Sequence, residues 1–124
     1  GFPVKVRNLA WDGSSRYLAT DGGSAVCLWD CSDPGPEGRG PKILGGENEE
    51  VLISALAYQR SGPLLASGDQ SGGLQLWEPT RSKQPLVAKQ GPFAVTKLAW
   101  SPDDKRLAAA DEHGNVACFE LLPG

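Results

Sequence analysis

Residues 56–78 read LAYQRSGPLLASGDQSGGLQLWE, and the pattern they carry decides the fold. An apolar run ends in an aromatic at Tyr58. A Gly-Pro turn follows, then a short run of small and apolar residues at 64–67. Ser71-Gly72-Gly73 reverses the chain, and Leu74-Gln75-Leu76 closes on Trp77-Glu78. The same order stands upstream, as Leu9-Ala10-Trp11, Tyr17-Leu18-Ala19-Thr20 and Val26-Cys27-Leu28-Trp29-Asp30. It stands again downstream, as Leu98-Ala99-Trp100, Arg106-Leu107-Ala108-Ala109 and Val116-Ala117-Cys118-Phe119-Glu120. Trp11, Tyr58 and Trp100 lie 47 and 42 residues apart, and so do Leu18, Leu65 and Leu107. Trp29, Trp77 and Phe119 lie 48 and 42 apart. A shared period of this length marks a repeat architecture in which each unit buries its apolar face on the next. The extra residues of the first period fall in Cys31–Gly40 and Glu47–Glu50, where added loop length costs little.

Each repeat divides into short strands. Val4–Trp11, Val51–Tyr58 and Ala94–Trp100 are expected as first strands, residues 17–20, 64–67 and 106–109 as second strands, and 25–30, 74–78 and 116–120 as third strands. Gly22-Gly23, Ser71-Gly72-Gly73 and His113-Gly114-Asn115 supply the Gly or Asn that a tight hairpin needs. Pro41–Gly45 and Pro85–Lys89 are expected as fourth, outer strands, since a proline opening an edge strand costs no ladder donor. No stretch keeps a 3.6-residue apolar period, so essentially no helix is expected.

Composition fits a globular chain. Of 124 residues, 40% are hydrophobic and 22% charged, and the 16 Gly and 10 Pro are spread as turns except across 32–41. The net charge of −3, without a dense Lys/Arg run, argues against nucleic acid or an anionic membrane as partner. No apolar run is long enough to span a bilayer. Three cysteines without framework spacing point to a reducing compartment, and the cytoplasm is the expected location. The absence of Met and the leading Gly1 suggest a piece of a longer chain.

Regular short strands with a closing Trp-Asp dipeptide resemble the WD-repeat family. Leu-Ala-Trp/Tyr at the end of each first strand carries the resemblance. So do the Gly-containing second turns, Ser101-Pro102-Asp103, and the pairs Trp29-Asp30, Trp77-Glu78 and Phe119-Glu120. The resemblance covers nearly the whole chain. It implies an all-β fold of three consecutive four-stranded antiparallel propeller blades, the last lacking its outer strand. The blades would occupy about 4–45, 51–90 and 94–121, making residues 1–124 a partial propeller. The chain departs from the family where Gly-His would precede each first strand and where Asp would stand in the second turn. There it has Gly22 or Gly23, Ser71 and His113, so the family's His–Ser/Thr–Trp–Asp network cannot form in full, and looser blades are expected. Propellers close with four to eight blades. Three cannot close alone, so further N-terminal blades or a second copy are expected to complete the ring, and a head-to-tail pair would give six.

Asp21, Asp69 and Asp111 recur at the repeat spacing, just after each second strand. Together with Glu47, Glu49 and Glu50, and with Glu112 nearby, they would form an acidic rim at one end of the propeller, suited to a basic peptide or protein surface. The same aspartates also read simply as turn caps, and the glutamates as a solvated loop. Cys27, Cys31, Cys118 and His113 do not have metal-ligand spacing; the cysteines read as small buried or half-buried hydrophobes, with Cys31 the most reactive thiol. Trp11, Trp29, Trp77 and Trp100 read as packing between blades rather than as an aromatic cage. The lone histidine has no nucleophile placed beside it, and Ser71-Gly72-Gly73 lacks the Lys-Ser/Thr of a phosphate loop. The expectation is therefore a non-catalytic protein-interaction scaffold without cofactor or metal. The alternative is a regulatory or accessory propeller of a larger enzyme.

Overall fold

The structure is a computed structural model that describes residues 7–32, 40–46 and 50–121. Eleven strands and no helix form three antiparallel sheets among the described residues. The first sheet runs in sequence order through β1 (Leu9–Trp11), β2 (Tyr17–Gly22), β3 (Ala25–Asp30) and β4 (Lys42–Gly45). The second runs through β5 (Ile53–Tyr58), β6 (Leu65–Asp69), β7 (Gly73–Trp77) and β8 (Val87–Gln90). The third holds β9 (Val95–Trp100), β10 (Arg106–Asp111) and β11 (Val116–Glu120). These are the 4, 4 and 3 strands expected of two full blades and one without its outer strand.

The second strands run further than the sequence suggested. They end at Gly22, Asp69 and Asp111 because the ladder continues until Asp69 meets Ile53 and Asp111 meets Val95. The outer strands start after their prolines, at Lys42 and Val87, since a proline has no N–H for the ladder. The first strand of the chain begins at Leu9; residues 4–6 of its expected span lie outside the described residues.

Period-two alternation gives each sheet two faces. Ala19, Leu28 and Leu44 from the first sheet meet Leu65 and Trp77 from the second in one cluster. Ala66 and Leu74 from the second meet Trp100 and Leu107 from the third in another. Trp77 is fully buried and Trp100 nearly so, as packing between sheets requires. Trp11 is the exception: it is 53% exposed, because Ala10 is the β1 side chain packed against the second sheet and Trp11 points the other way.

Polar contacts join the sheets as well. Ile53 N–H donates to Gly23 O at 2.9 Å, and the Lys42 ammonium donates to Pro79 O. The Trp100 indole donates to Ala57 O at 3.0 Å, and the Ser54 hydroxyl to Val95 O at 2.5 Å. A register shift between Ile53 and Ala55 leaves Ser54 outside the regular ladder, next to the neighbouring sheet. Gly68 is required by closeness: a Cβ there would sit 2.4 Å from Val95 Cγ1. Gly72 is required by its turn, with φ +98°.

The expected partial loss of the buried network is visible residue by residue. The Trp29 indole donates to Thr20 Oγ1 at 3.0 Å and the Trp77 indole to Ser67 Oγ at 2.9 Å. The third sheet has Ala109 and Phe119 at these places, so it has neither donor nor acceptor.

Candidate interaction surface

The register sets where the acidic residues stand. Asp69 is paired with Ile53 and Asp111 with Val95, so the β6–β7 and β10–β11 turns share one end of their sheets with the starts of β5 and β9. Asp21 occupies the matching end of β2, paired with Val26. Glu50, exposed, precedes β5 at this same end. Glu47 and Glu49 lie outside the described residues. Glu112 is exposed, with an oxygen 3.8 Å from His113 Nε2.

The three aspartates are not equivalent. Asp69 Oδ1 accepts from Ser71 N–H at 2.9 Å, the Ser71 hydroxyl at 2.7 Å and Gly73 N–H at 2.8 Å, closing its hairpin. Asp111 Oδ1 accepts from His113 and Asn115 N–H, at 2.9 and 3.0 Å, and its Oδ2 accepts from Asn115 Nδ2 at 3.0 Å. Slight desolvation pulls the Asp111 carboxyl up, but these donors outweigh it and hold it below the usual range. Asp21 instead reaches back to the chain entering the first sheet, taking Arg7 N–H at 2.9 Å, Asn8 N–H at 3.3 Å and Asn8 Nδ2 at 3.1 Å. It is 5% exposed, and both oxygens are engaged within the chain. Asp69 also borders a polar hollow of about 200 Å³ between the first and second sheets, with Ser24, Ser71, Gln75 and Gln90.

The opposite end carries a clamp that the sequence did not reveal. Asp104, at φ +61° in the turn after β9, accepts from Arg60, Ser61 and Gly62 N–H at 2.8, 2.8 and 3.2 Å. Its own carbonyl accepts from Gln59 Nε2 at 2.9 Å, and Gln59 Oε1 in turn takes Leu64 N–H at 3.1 Å. One turn thus holds the turn of the preceding sheet. The only sequence signal was a second Asp in a turn that already had one. The first sheet has an ion pair instead, Arg16 to Asp30 at 3.2 Å, which holds the Asp30 carboxyl well below its ordinary range.

The cysteines differ from expectation in one respect. Cys27 is buried, its thiol pushed up by burial and then by Asp21, and Cys31 is half-buried. Cys118, expected to be at least half-buried, is exposed, because β11 turns it away from the second sheet. Among the described residues no three His, Cys, Asp or Glu gather as metal ligands.

The chain matches the family model "WD domain, G-beta repeat" over residues 41–78 and 83–120. It belongs to the WD-repeat family. The matched units are offset from the sheets: each takes the outer strand of one sheet, β4 or β8, with the three inner strands of the next. Each family repeat therefore interlocks two blades. WD repeat-containing protein 1 of Gallus gallus is 42% identical over 57 residues, 44% of this chain and 9% of that protein. The protein of the same name from Mus musculus is 40% identical over the same length. Actin-interacting protein 1 of Drosophila melanogaster is 32% identical over 62 residues, 48% of this chain and 10% of that protein. The aligned stretch thus spans about a tenth of these relatives. A protein-interaction scaffold is the general role this WD-repeat membership supports.

Proposed function

We propose that this WD-repeat chain is the partial-propeller portion, blades at about 4–45, 51–90 and 94–121, of a non-catalytic, cytoplasmic scaffold that recruits a basic peptide or protein surface through its acidic end. The observation that carries this reading is the register that sets Asp69, Asp111 and the approach to β5 at one end of adjacent sheets. Asp69 and Asp111 fix the hairpins, and the exposed Glu50 and Glu112 add negative charge at that end. Asp21, being buried, serves the same end by anchoring the chain that enters β1. Such attraction is screened by salt. The Drosophila relative is named for an interaction with actin, so actin belongs in the test beside a lysine-rich peptide.

The same reading has the open faces of the end blades meet further blades. Leu9, Trp11 and Ile43 are 65%, 53% and 44% exposed on the free face of the first sheet, and Val116 is 68% exposed on that of the third. Faces of this kind are association sites.

The test is titration of a lysine-rich peptide, and of actin, into the chain and into a Glu49→Lys/Glu50→Lys variant. The expected result is binding that weakens with salt and falls at least tenfold in the variant. Unchanged binding in the variant overturns the rim.

A further inference from the structure

The polar hollow of about 200 Å³ beside Asp69 lies between the first two sheets, at the acidic end. One face of the second sheet builds its wall. Leu74 and Leu76 pack toward the third sheet and Trp77 toward the first. Residues two apart in a strand share a face, so Gln75 stands on the Trp77 side. Gln90 is paired with Gly73 and joins it there, as does Asp69 in line with Leu65 and Ser67. Ser24 and Gly46 line the opposite side. The walls are tethered to one another. Ile53 N–H donates to Gly23 O at 2.9 Å next to Ser24, and Gly91 N–H to Gly72 O at 2.9 Å. Gln90 Nε2 donates to Ser71 O at 2.8 Å and to Ser71 Oγ at 3.3 Å.

The lining has more acceptors than the chain uses. Asp69 Oδ1 takes three donors, whereas Oδ2 takes none from the described residues. No described cation pairs with this carboxylate. Gln90 engages its Nε2 with Ser71 and Gly91, which leaves its Oε1 open. The Gln75 amide and the Ser24 hydroxyl have no hydrogen-bond partner among the described residues. The unmet need is therefore for several donors carrying positive charge. The volume is below the roughly 300–1,000 Å³ of small-molecule sites, so the occupant is the end of one side chain and not a separate ligand.

We propose that the hollow seats one arginine side chain of the basic partner, its guanidinium donating to Asp69 Oδ2 and to the Gln75 and Gln90 side-chain oxygens. This seat rests on the acidic end being the docking surface and names the side chain that surface selects. A guanidinium offers five N–H donors in a fixed plane, which suits acceptors arrayed around a narrow space. A lysine ammonium is a compact, strongly hydrated charge and would leave part of the lining unmet. The acidic rim attracts both cations alike through its charge, so preference for arginine over lysine belongs to the hollow alone. The tethered walls hold the acceptors in place before the partner arrives, which lowers the ordering cost of binding.

The experiment is titration of the 124-residue chain with two blocked peptides of lysine and serine, identical in length and charge, one with arginine and the other with lysine at the centre. The expected result is binding of the arginine peptide at least fivefold tighter, with the ratio falling to about one in Gln75→Leu, which leaves the charge of the rim untouched. A second readout needs no variant: the side-chain amide resonances of Gln75 and Gln90 should shift with the arginine peptide and stay in place with the lysine peptide. Equal, salt-sensitive binding of the two peptides would overturn the seat and leave the rim standing. An arginine preference that persists in Gln75→Leu, or side-chain amides that do not move, would also overturn the seat. Binding of neither peptide would overturn the rim and the seat together.

Discussion

At the residue scale, single side chains hold sheets to one another. Asp104 is the clearest case. Slight desolvation pulls its carboxyl up, but the N–H groups of Ser61, Arg60 and Gly62 outweigh this and hold it low. Its folded pKa therefore lies below its unfolded one, so its stabilisation is complete above the ordinary carboxylate range and is lost as pH falls through the folded value. Asp104→Ala should lower the melting temperature at neutral pH by several degrees, and the deficit should shrink toward acid, where the wild-type contact is also lost. A calorimetric series over pH measures both. Trp77 is the matching apolar case. Trp77→Ala removes a fully buried ring and should cost about 3–5 kcal/mol in denaturant titration. Ser67→Ala leaves the buried indole N–H without its acceptor and should cost about 1–3 kcal/mol.

At the element scale, strands and hairpins were legible because alternation and turn chemistry are local. In the first sheet β3, the turns and the outer strand follow from residues adjacent in the chain, whereas β2 runs two residues past the expected 17–20 and Arg7 and Asn8 stay outside β1. Contacts between sheets were not legible. Nothing near Gly68 in sequence announces Val95, and nothing near Asp104 announces Arg60, because each contact depends on how two sheets face one another. Gly68→Val places carbon where Val95 already lies and should destabilise by about 1–3 kcal/mol, with the loss concentrated between β6 and β9. Amide exchange resolved by residue would locate it. The candidate rim was legible as spacing, yet the buried position of Asp21 was not: its partners Arg7 and Asn8 are 14 and 13 residues away.

At the scale of the whole molecule, each family repeat spans two sheets, so neighbouring blades cannot unfold independently without breaking a repeat. The bonds from Ser54 and Gln59 to the third sheet, and from Trp100 of the third sheet to Ala57 of the second, act in the same direction. Among the described residues the third sheet lacks the indole-to-hydroxyl bond of the other two, so its amides should exchange fastest. Both end faces carry apolar side chains that a further blade would cover. Light scattering of the purified 124-residue chain across a wide concentration range, with folding checked by circular dichroism, tests this most directly. The account predicts a folded species whose mass rises above that of a single chain as concentration increases. A folded chain that stays strictly monomeric at every concentration would contradict it.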